Sequence, residues 1–340
     1  MDNKIFSGKV LVFGDPHLSC VYEGTHKNYA LECYKNMDNI IQKTKDNKAS
    51  AVILLGDIVG VNERNIKDRR FLMRVMMFLQ TLNDLTGGNV YSVKGNHDKG
   101  DFPDFDLFIG LGLLKNPDYV DYYKCSEEGY IEQGEDALEV RFHFVNYGEE
   151  NRKLSIDRDG EYSNIVIGHA DYLIDGVTNW YQHKDGVHLN RLANFKGVDL
   201  VVSGHIHTPS DQVHSTAIGD WSIDLFYPGS PSRTSERFND CWYVTFEYED
   251  SSNTTAYDME LFGLDPVDEV FHPKEVFIDD DSAEERIKES ESLTSIVKEI
   301  MAGRSFTGDL FTQVKSVPWA TDVEKELACD YLRKAIDISK

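Results

Sequence analysis

Over its first two hundred residues the chain repeats one pattern: a short run rich in Val, Ile and Leu ends at or near a glycine, and polar residues follow. The runs lie at 9–13, 51–55, 90–93, 164–167 and 199–202. Continuous apolar runs of this length predict strands buried on both faces. Between them lie helical patterns. Residues 28–43 place Leu31, Tyr34, Met37, Ile40 and Ile41 on one face. Residues 69–85 do the same with Phe71, Leu72, Val75, Met76, Leu79 and Leu82. Strands alternating with helices predict an α/β core with a central sheet. From about residue 220 the texture changes. The segments 221–227, 242–249 and 255–262 read as strands with no long helix between them, a second sheet that finishes the core domain. Residues 265–273 read as a linker. Asp279-Asp280-Asp281 then precedes Ser282-Ala283-Glu284-Glu285, a capping-box pattern that starts a helix. Amphipathic helices are expected at 283–302, 308–316 and 321–338. The division expected is a core at 1–264 and a capping and linker region with C-terminal helices at 265–340.

Composition narrows the class. The chain has 340 residues, 41% hydrophobic and 28% charged, which fits an ordinary globular protein. No apolar run approaches the roughly 20 residues of a membrane span. The run Val10-Leu11-Val12-Phe13 is too short for the apolar region of a secretory signal. A soluble, cytoplasmic protein is therefore expected, with no membrane contact. Cys20, Cys33, Cys125, Cys241 and Cys329 are scattered and form no CxxC pair, so neither a disulfide framework nor a thiolate zinc site is expected. The net charge of -24 argues against coating nucleic acid by bulk charge. It leaves room for an enzyme that holds a phosphate with metal ions and a few local arginines.

The chemistry sits where the strands end. The five runs are followed by Gly14-Asp15-Pro16-His17, Gly56-Asp57, Gly95-Asn96-His97-Asp98, Gly168-His169 and Gly204-His205-Ile206-His207. In open α/β sheets, sites form outside the carboxyl ends of strands. These segments bring three Asp, one Asn and five His to one rim. Carboxylate and imidazole without thiolate suit Mn²⁺, Fe or Zn²⁺. Asp15 and His17 are two apart, so an extended backbone points both the same way, and His205 and His207 repeat the step. Two ions about 3.5–4 Å apart, bridged by a carboxylate, clamp a phosphoryl group and activate a water.

The series GDPH, GD, GNHD, GH and GHIH resembles the calcineurin-like metallophosphoesterases, in the same order from about Val10 to His207. That resemblance implies a two-sheet sandwich flanked by helices. It implies two divalent ions, Mn²⁺ by preference over Fe, Zn²⁺ or Mg²⁺. Asp15, His17, Asp57 and His207 would hold one ion, and Asp57, Asn96, His169 and His205 the other. Asp57 would bridge, a metal-bound hydroxide would be the nucleophile, and His97 the general acid. Asp98 would hold the other ring nitrogen of His97. One departure from the family pattern is Gly60, where a second Asp usually stands three residues after the bridging one.

A narrower resemblance follows. Phe226-Tyr227-Pro228-Gly229-Ser230-Pro231-Ser232-Arg233 looks like the Y-x-G-S-P segment of SbcD-like nucleases, subunits of the double-strand-break repair complex. It implies DNA as substrate, a homodimer, and C-terminal helices that dock on an SMC-like coiled-coil ATPase of SbcC type. His26 is a candidate for the substrate groove, and Arg233 and Arg237 for substrate phosphate. Arg64, Lys67, Arg69, Arg70 and Arg74 either touch DNA backbone or balance nearby acids. Met73, Met76, Met77 and Phe78 either pack in the core or form a helical dimer interface. His143, His183, His188 and His214 lack strand-end context and read as surface or core residues. The rival function is a small-molecule, nucleotide-type phosphoesterase with the same ions. A scaffold with a dead site ranks last, because every ligand position holds a competent residue.

Overall fold

The computed structural model describes residues 4–6, 8–20, 29–60, 68–98, 104–123, 138–156, 162–174, 186–210, 212–232, 242–249 and 254–261. All belong to the first of the two units into which the chain divides, Met1–Val276 and Phe277–Lys340. The expected capping region and C-terminal helices lie outside the described residues.

In chain order the elements are β1 (Lys4–Phe6), β2 (Val10–Phe13), α1 (Tyr29–Asp46), β3 (Ala51–Leu54), α2 (Arg69–Thr86), β4 (Val90–Ser92) and α3 (Asp104–Gly110). Then come β5 (Tyr119–Tyr123), β6 (Leu138–Val145), β7 (Ser163–His169), β8 (Tyr172–Leu173), β9 (Val187–His188) and β10 (Leu200–Gly204). The last are β11 (His214–Ile218), β12 (Trp221–Phe226), β13 (Trp242–Glu249) and β14 (Thr254–Leu261). A five-stranded sheet runs β14-β13-β2-β3-β4, and a seven-stranded sheet runs β1-β5-β6-β7-β10-β12-β11. The strands β2, β3 and β4 are mutually parallel in the first sheet, and β6, β7, β10 and β12 in the second.

The two sheets face each other across one core. Val10, Val12, Ile53, Tyr91 and Phe246 come from the smaller sheet, and Val120, Tyr122, Phe142, Phe144, Ile167 and Val202 from the larger. Alternation along a strand sends neighbouring residues to opposite faces, so Val166, Val201 and Ile223 face away from that core. They pack with Leu189, Leu192, Phe195 and Val198 on the outer side of the large sheet. The parallel strands are therefore apolar on both faces, as their continuous runs predict. Helix α2 packs on β3 and β4 and against α1. Asp68 caps it by accepting from the N–H groups of Arg70 and Phe71, and Gly87 ends it with a left-handed φ of 64°. Phe71, Val75, Phe78, Leu79 and Leu82 form its buried face. Arg74 reaches across to lie 4.6 Å from the centre of the Tyr34 ring on α1.

The late strands differ from expectation. They do not form a sheet of their own. β12 extends the large sheet beside β10, whereas β13 pairs antiparallel with β2 and makes it interior to the small sheet. β5 and β6 were not predicted, because they alternate instead of running continuously apolar. Their outward face carries Asp121 and Arg141, joined by Nε–Oδ1 and Nη2–Oδ2 bonds of 2.6 and 3.0 Å. Cys20 and Cys33 are buried thiols not joined in a disulfide, and no described helix is long and apolar enough to cross a membrane.

His143 on β6 is a core residue, 1% exposed, and its Nε2 donates to Asn164 Oδ1 at 2.9 Å. Burial pushes its imidazole down to about 4, and the bond to Asn164 opposes this only in part. An unfolded histidine titrates near 6.5. The folded protein thus holds His143 neutral, a stabilisation present above pH 6.5 and lost as pH falls from there toward 4. Urea unfolding should show His143→Gln losing less stability than the parent over that window, by about 3 kcal/mol.

Candidate metal centre

The loops that leave β2, β3, β4, β7 and β10 meet. Those after β2 and β3 run side by side: His17 N–H donates to Asp57 O at 2.9 Å, Leu18 N–H to Ile58 O at 3.0 Å, and Gly60 N–H back to Leu18 O at 2.9 Å. Gly60, the departure from the family pattern, contributes backbone to this ladder.

The predicted donors converge around Asp57. Asp57 Oδ2 lies 3.5 Å from His17 Nε2 on one side and 3.2 Å from His169 Nε2 on the other. Asp15 Oδ2 lies 3.2 Å from both His17 Nε2 and His207 Nε2. Asn96 Oδ1 lies 3.0 Å from both His169 Nε2 and His205 Nδ1. The residues thus form two halves, Asp15, His17 and His207 on one and Asn96, His169 and His205 on the other, with Asp57 between them. Among the described residues, three groups offer donor atoms close enough to share an ion: Asp15 with His17 and His207, His17 with Asp57 and His97, and Asp15 with Asp57 and His169.

The donor set fits divalent ions. Asp15 Oδ1 is buried without a hydrogen-bond partner, and a buried carboxylate oxygen left so is costly unless a cation meets it. The set is oxygen and nitrogen, with no thiolate in any group. His169 Nδ1 donates to Leu55 O at 2.5 Å, which turns Nε2 toward Asp57 and Asn96. A histidine fixed in this way is oriented to bind through its other nitrogen.

The carboxylates and imidazoles of the row shift one another. Burial alone would raise Asp15, but its bonds to His17 and His207 hold it well below the usual carboxylate range. Burial would raise Asp57 too, and the neighbouring His169 and His17 bring it down to about 2 instead. Burial opposes a charged His169, yet Asp57 lifts it to about 9. On His205, burial and the nearby His169 act together and lower it to about 4. Two ionised carboxylates at the centre attract cations, and at least one imidazole at the edge stays neutral and able to donate its lone pair.

The backbone carries the site in unusual conformations. His17, Asp57 and His205 have positive φ, at 45°, 46° and 76°. Such conformations cost a non-glycine residue roughly 1–3 kcal/mol and cluster where function demands them. Of the two steps expected to point their side chains the same way, Asp15 and His17 do meet, at 3.2 Å. His205 and His207 part: with His205 left-handed, His205 reaches Asn96 while His207 reaches Asp15.

Glycine is required beside Asp57. A Cβ on Gly95 would stand 2.0 Å from Asp57 Oδ1 and 2.7 Å from its nitrogen. The variant Gly95→Ala should weaken Mn²⁺ binding about tenfold to a hundredfold, the range for losing an interaction that orients a ligand. Gly110→Ala, where nothing lies within 4 Å of the added carbon, should bind as the parent does.

One expected contact is absent. Asp98 does not hold His97. Its Oδ2 accepts from the N–H groups of Asp57 at 2.7 Å and Gly95 at 2.8 Å, while His97 Nδ1 is buried without a partner. The tight turn after β4 points Asp98 back into the strand ends, where it fixes the Asp57 backbone. Burial, reinforced by the Asp57 charge, pushes Asp98 up to about 6. His97 itself sits beside the first half, its ring 5.0 Å from that of His17, and its N–H donates to Asp57 Oδ1 at 2.8 Å. Burial holds its imidazole below the ordinary histidine range. His26, Arg233 and Arg237 lie outside the described residues, as do Arg64 and Lys67.

Sequence reasoning also missed a floor. Ser230 Oγ donates to Asp15 O at 2.8 Å, Ser230 N–H donates to His207 O at 3.1 Å, and Asn36 Nδ2 donates to Pro231 O. A Cβ on Gly14 would stand 1.7 Å from Gly229 O, so this segment packs directly beneath the loop that carries Asp15 and His17.

A family model described as calcineurin-like phosphoesterase matches residues 8–209. The chain belongs to this family, whose members are phosphoester hydrolases that use divalent metals. A search of curated proteins finds no match. Solved structures to which this chain is similar include a dimetal phosphatase from Danio rerio, 12% identical, with a TM-score of 0.43, covering 76% of this chain and 99% of that one. The phosphoesterase Yfce from E. coli is 15% identical, with a TM-score of 0.34, covering 76% and 100%. A protein from Thermus thermophilus is 11% identical, with a TM-score of 0.39, covering 74% and 98%.

Proposed function

We propose that this protein is a two-ion phosphodiesterase acting on DNA, an SbcD-like exonuclease and endonuclease subunit serving repair, replication or recombination. The observation that carries the reading is the Tyr227–Ser232 segment, which resembles that group in sequence and packs under Asp15 and His207. Asp15, His17, Asp57 and His207 would hold one ion, and Asp57, Asn96, His169 and His205 the other, with Mn²⁺ as the preferred metal. Bound ions supply Lewis acidity that neutralises phosphoryl charge and lowers the pKa of a water. The chain's own part is to fix the donors, exclude bulk water from Asp15, Asp57 and His169, and present His97 to the leaving oxygen as proton donor. A role in DNA repair, replication or recombination goes with a cytoplasmic location, which is part of the proposal. A homodimer and a coiled-coil ATPase bound through 265–340 complete the proposal, on likeness of layout to the same group.

The second reading, a small-molecule, nucleotide-type phosphoesterase, is favoured by the net charge of -24, which repels a polyanion. The two separate in one experiment. The protein is incubated with Mn²⁺ and either end-labelled duplex DNA or bis-p-nitrophenyl phosphate. DNA degradation that vanishes in Asp57→Ala supports the nuclease. Hydrolysis of the small ester alone, unchanged by an added coiled-coil ATPase, moves the substrate to the second reading.

A further inference from the structure

The loop that leaves β6 brings to the donor row a residue that no histidine or carboxylate motif marks. Tyr147 N–H donates to Lys94 O at 2.9 Å, and Asn146 Oδ1 accepts from Lys94 N–H at 2.7 Å and from Asn116 Nδ2 at 3.0 Å. Gly148 N–H closes the turn on Glu150 Oε1 at 2.7 Å. Lys94 leads directly into Gly95 and Asn96, so Tyr147 is tied to the backbone that carries Asn96 and His97. Its ring centre lies 5.5 Å from that of His205 and 6.2 Å from that of His169. The residue is half-buried. Its ring lies against the two histidines.

His97 and Tyr147 stand on different halves of the row. His97 is beside His17, and Tyr147 is beside His205 and His169. A phosphodiester carries two organic arms. If one departs past His97, the other extends over the His169–His205 half, where the tyrosine ring stands. Tyrosine offers a rigid, flat, largely apolar face, and flat bases stack on such faces without regard to sequence.

We propose that Tyr147 is a specificity-determining residue, a stacking platform for a planar group on the arm of the diester that is retained. The inference rests on the diesterase reading above and deepens it: it names the class of substrate that the second half of the row selects.

The test compares bis-p-nitrophenyl phosphate with methyl p-nitrophenyl phosphate in Mn²⁺, for the parent, Tyr147→Phe and Tyr147→Leu. The two esters share a leaving group and differ in the retained arm. In Tyr147→Leu the parent's preference for the diaryl ester should fall about tenfold, through KM and not kcat, and Tyr147→Phe should keep it. Calorimetric titration with adenosine 5′-monophosphate and ribose 5-phosphate gives a readout apart from turnover. The parent should prefer the nucleotide, and Tyr147→Leu should lose that preference. Equal losses on both esters in Tyr147→Leu, or a fall in kcat with fewer ions bound per chain, would mean that the ring only packs the histidines, and would overturn the platform alone. A parent that hydrolyses neither ester and leaves end-labelled duplex DNA intact would overturn the diesterase reading and the platform with it.

Discussion

Replacing Asp57 with alanine should lower phosphoester hydrolysis at least about a thousandfold, and metal analysis should find both ions lost rather than one. The expectation follows from position. Asp57 Oδ2 is the oxygen that touches His17 of one half and His169 of the other, so its removal weakens both. Electrostatic and metal contributions of this kind reach several kcal/mol, and about 1.4 kcal/mol is a factor of ten in rate. His207→Ala is the contrast. His207 meets Asp15 at the more exposed rim, and its loss should release one ion and leave the other half intact. An Asp57→Ala protein that still holds two ions per chain and turns over would remove the bridging role.

His97→Ala should cost about a hundredfold to ten-thousandfold in kcat, the range for losing a positioned proton donor, while both ions stay bound. The loss should depend on the leaving group. Nitrophenolate departs readily without a proton, whereas a sugar alkoxide does not, so cleavage of DNA should suffer more than hydrolysis of bis-p-nitrophenyl phosphate. Equal losses on the two substrates would show that His97 does something other than protonate. Because His97 Nδ1 has no partner and Asp98 is bonded to the Asp57 and Gly95 backbone, Asp98→Asn should weaken ion binding rather than copy the His97 defect. The two variants therefore separate by metal content.

Much of the site was legible because its residues follow a rule of place. Each predicted donor stands at or just past the carboxyl end of a continuous apolar strand, and that arrangement needs only local pattern to see. The sandwich was legible through family likeness alone. Nothing in the runs tells which sheet a late strand will join, and β12 and β13 went to different sheets because their partners, β10 and β2, lie far away in the sequence. β5 and β6 hid behind the Asp121–Arg141 pair on their outer face. The left-handed residues were invisible, since a histidine or aspartate at positive φ leaves no mark in composition. Tyr147 was equally silent: one tyrosine among many acquires its place only when the β6 loop is bonded to Lys94.

The pairing of β13 with β2 has a consequence for how the molecule is made. During synthesis, β2 emerges among the first residues and pairs with β3 on one side only. Its other edge, Val10-Leu11-Val12-Phe13, stays open until Tyr243–Phe246 leave the ribosome. An open apolar edge invites the wrong partner. The brace from Ser230 to Asp15 spans 215 positions, and contacts that distant form late and slowly. A nascent chain that ends before Ser230 therefore has every predicted metal ligand and no support beneath Asp15. The brace beneath Asp15 and the strand that covers β2 arrive together, once roughly two-thirds of the 340 residues have been made.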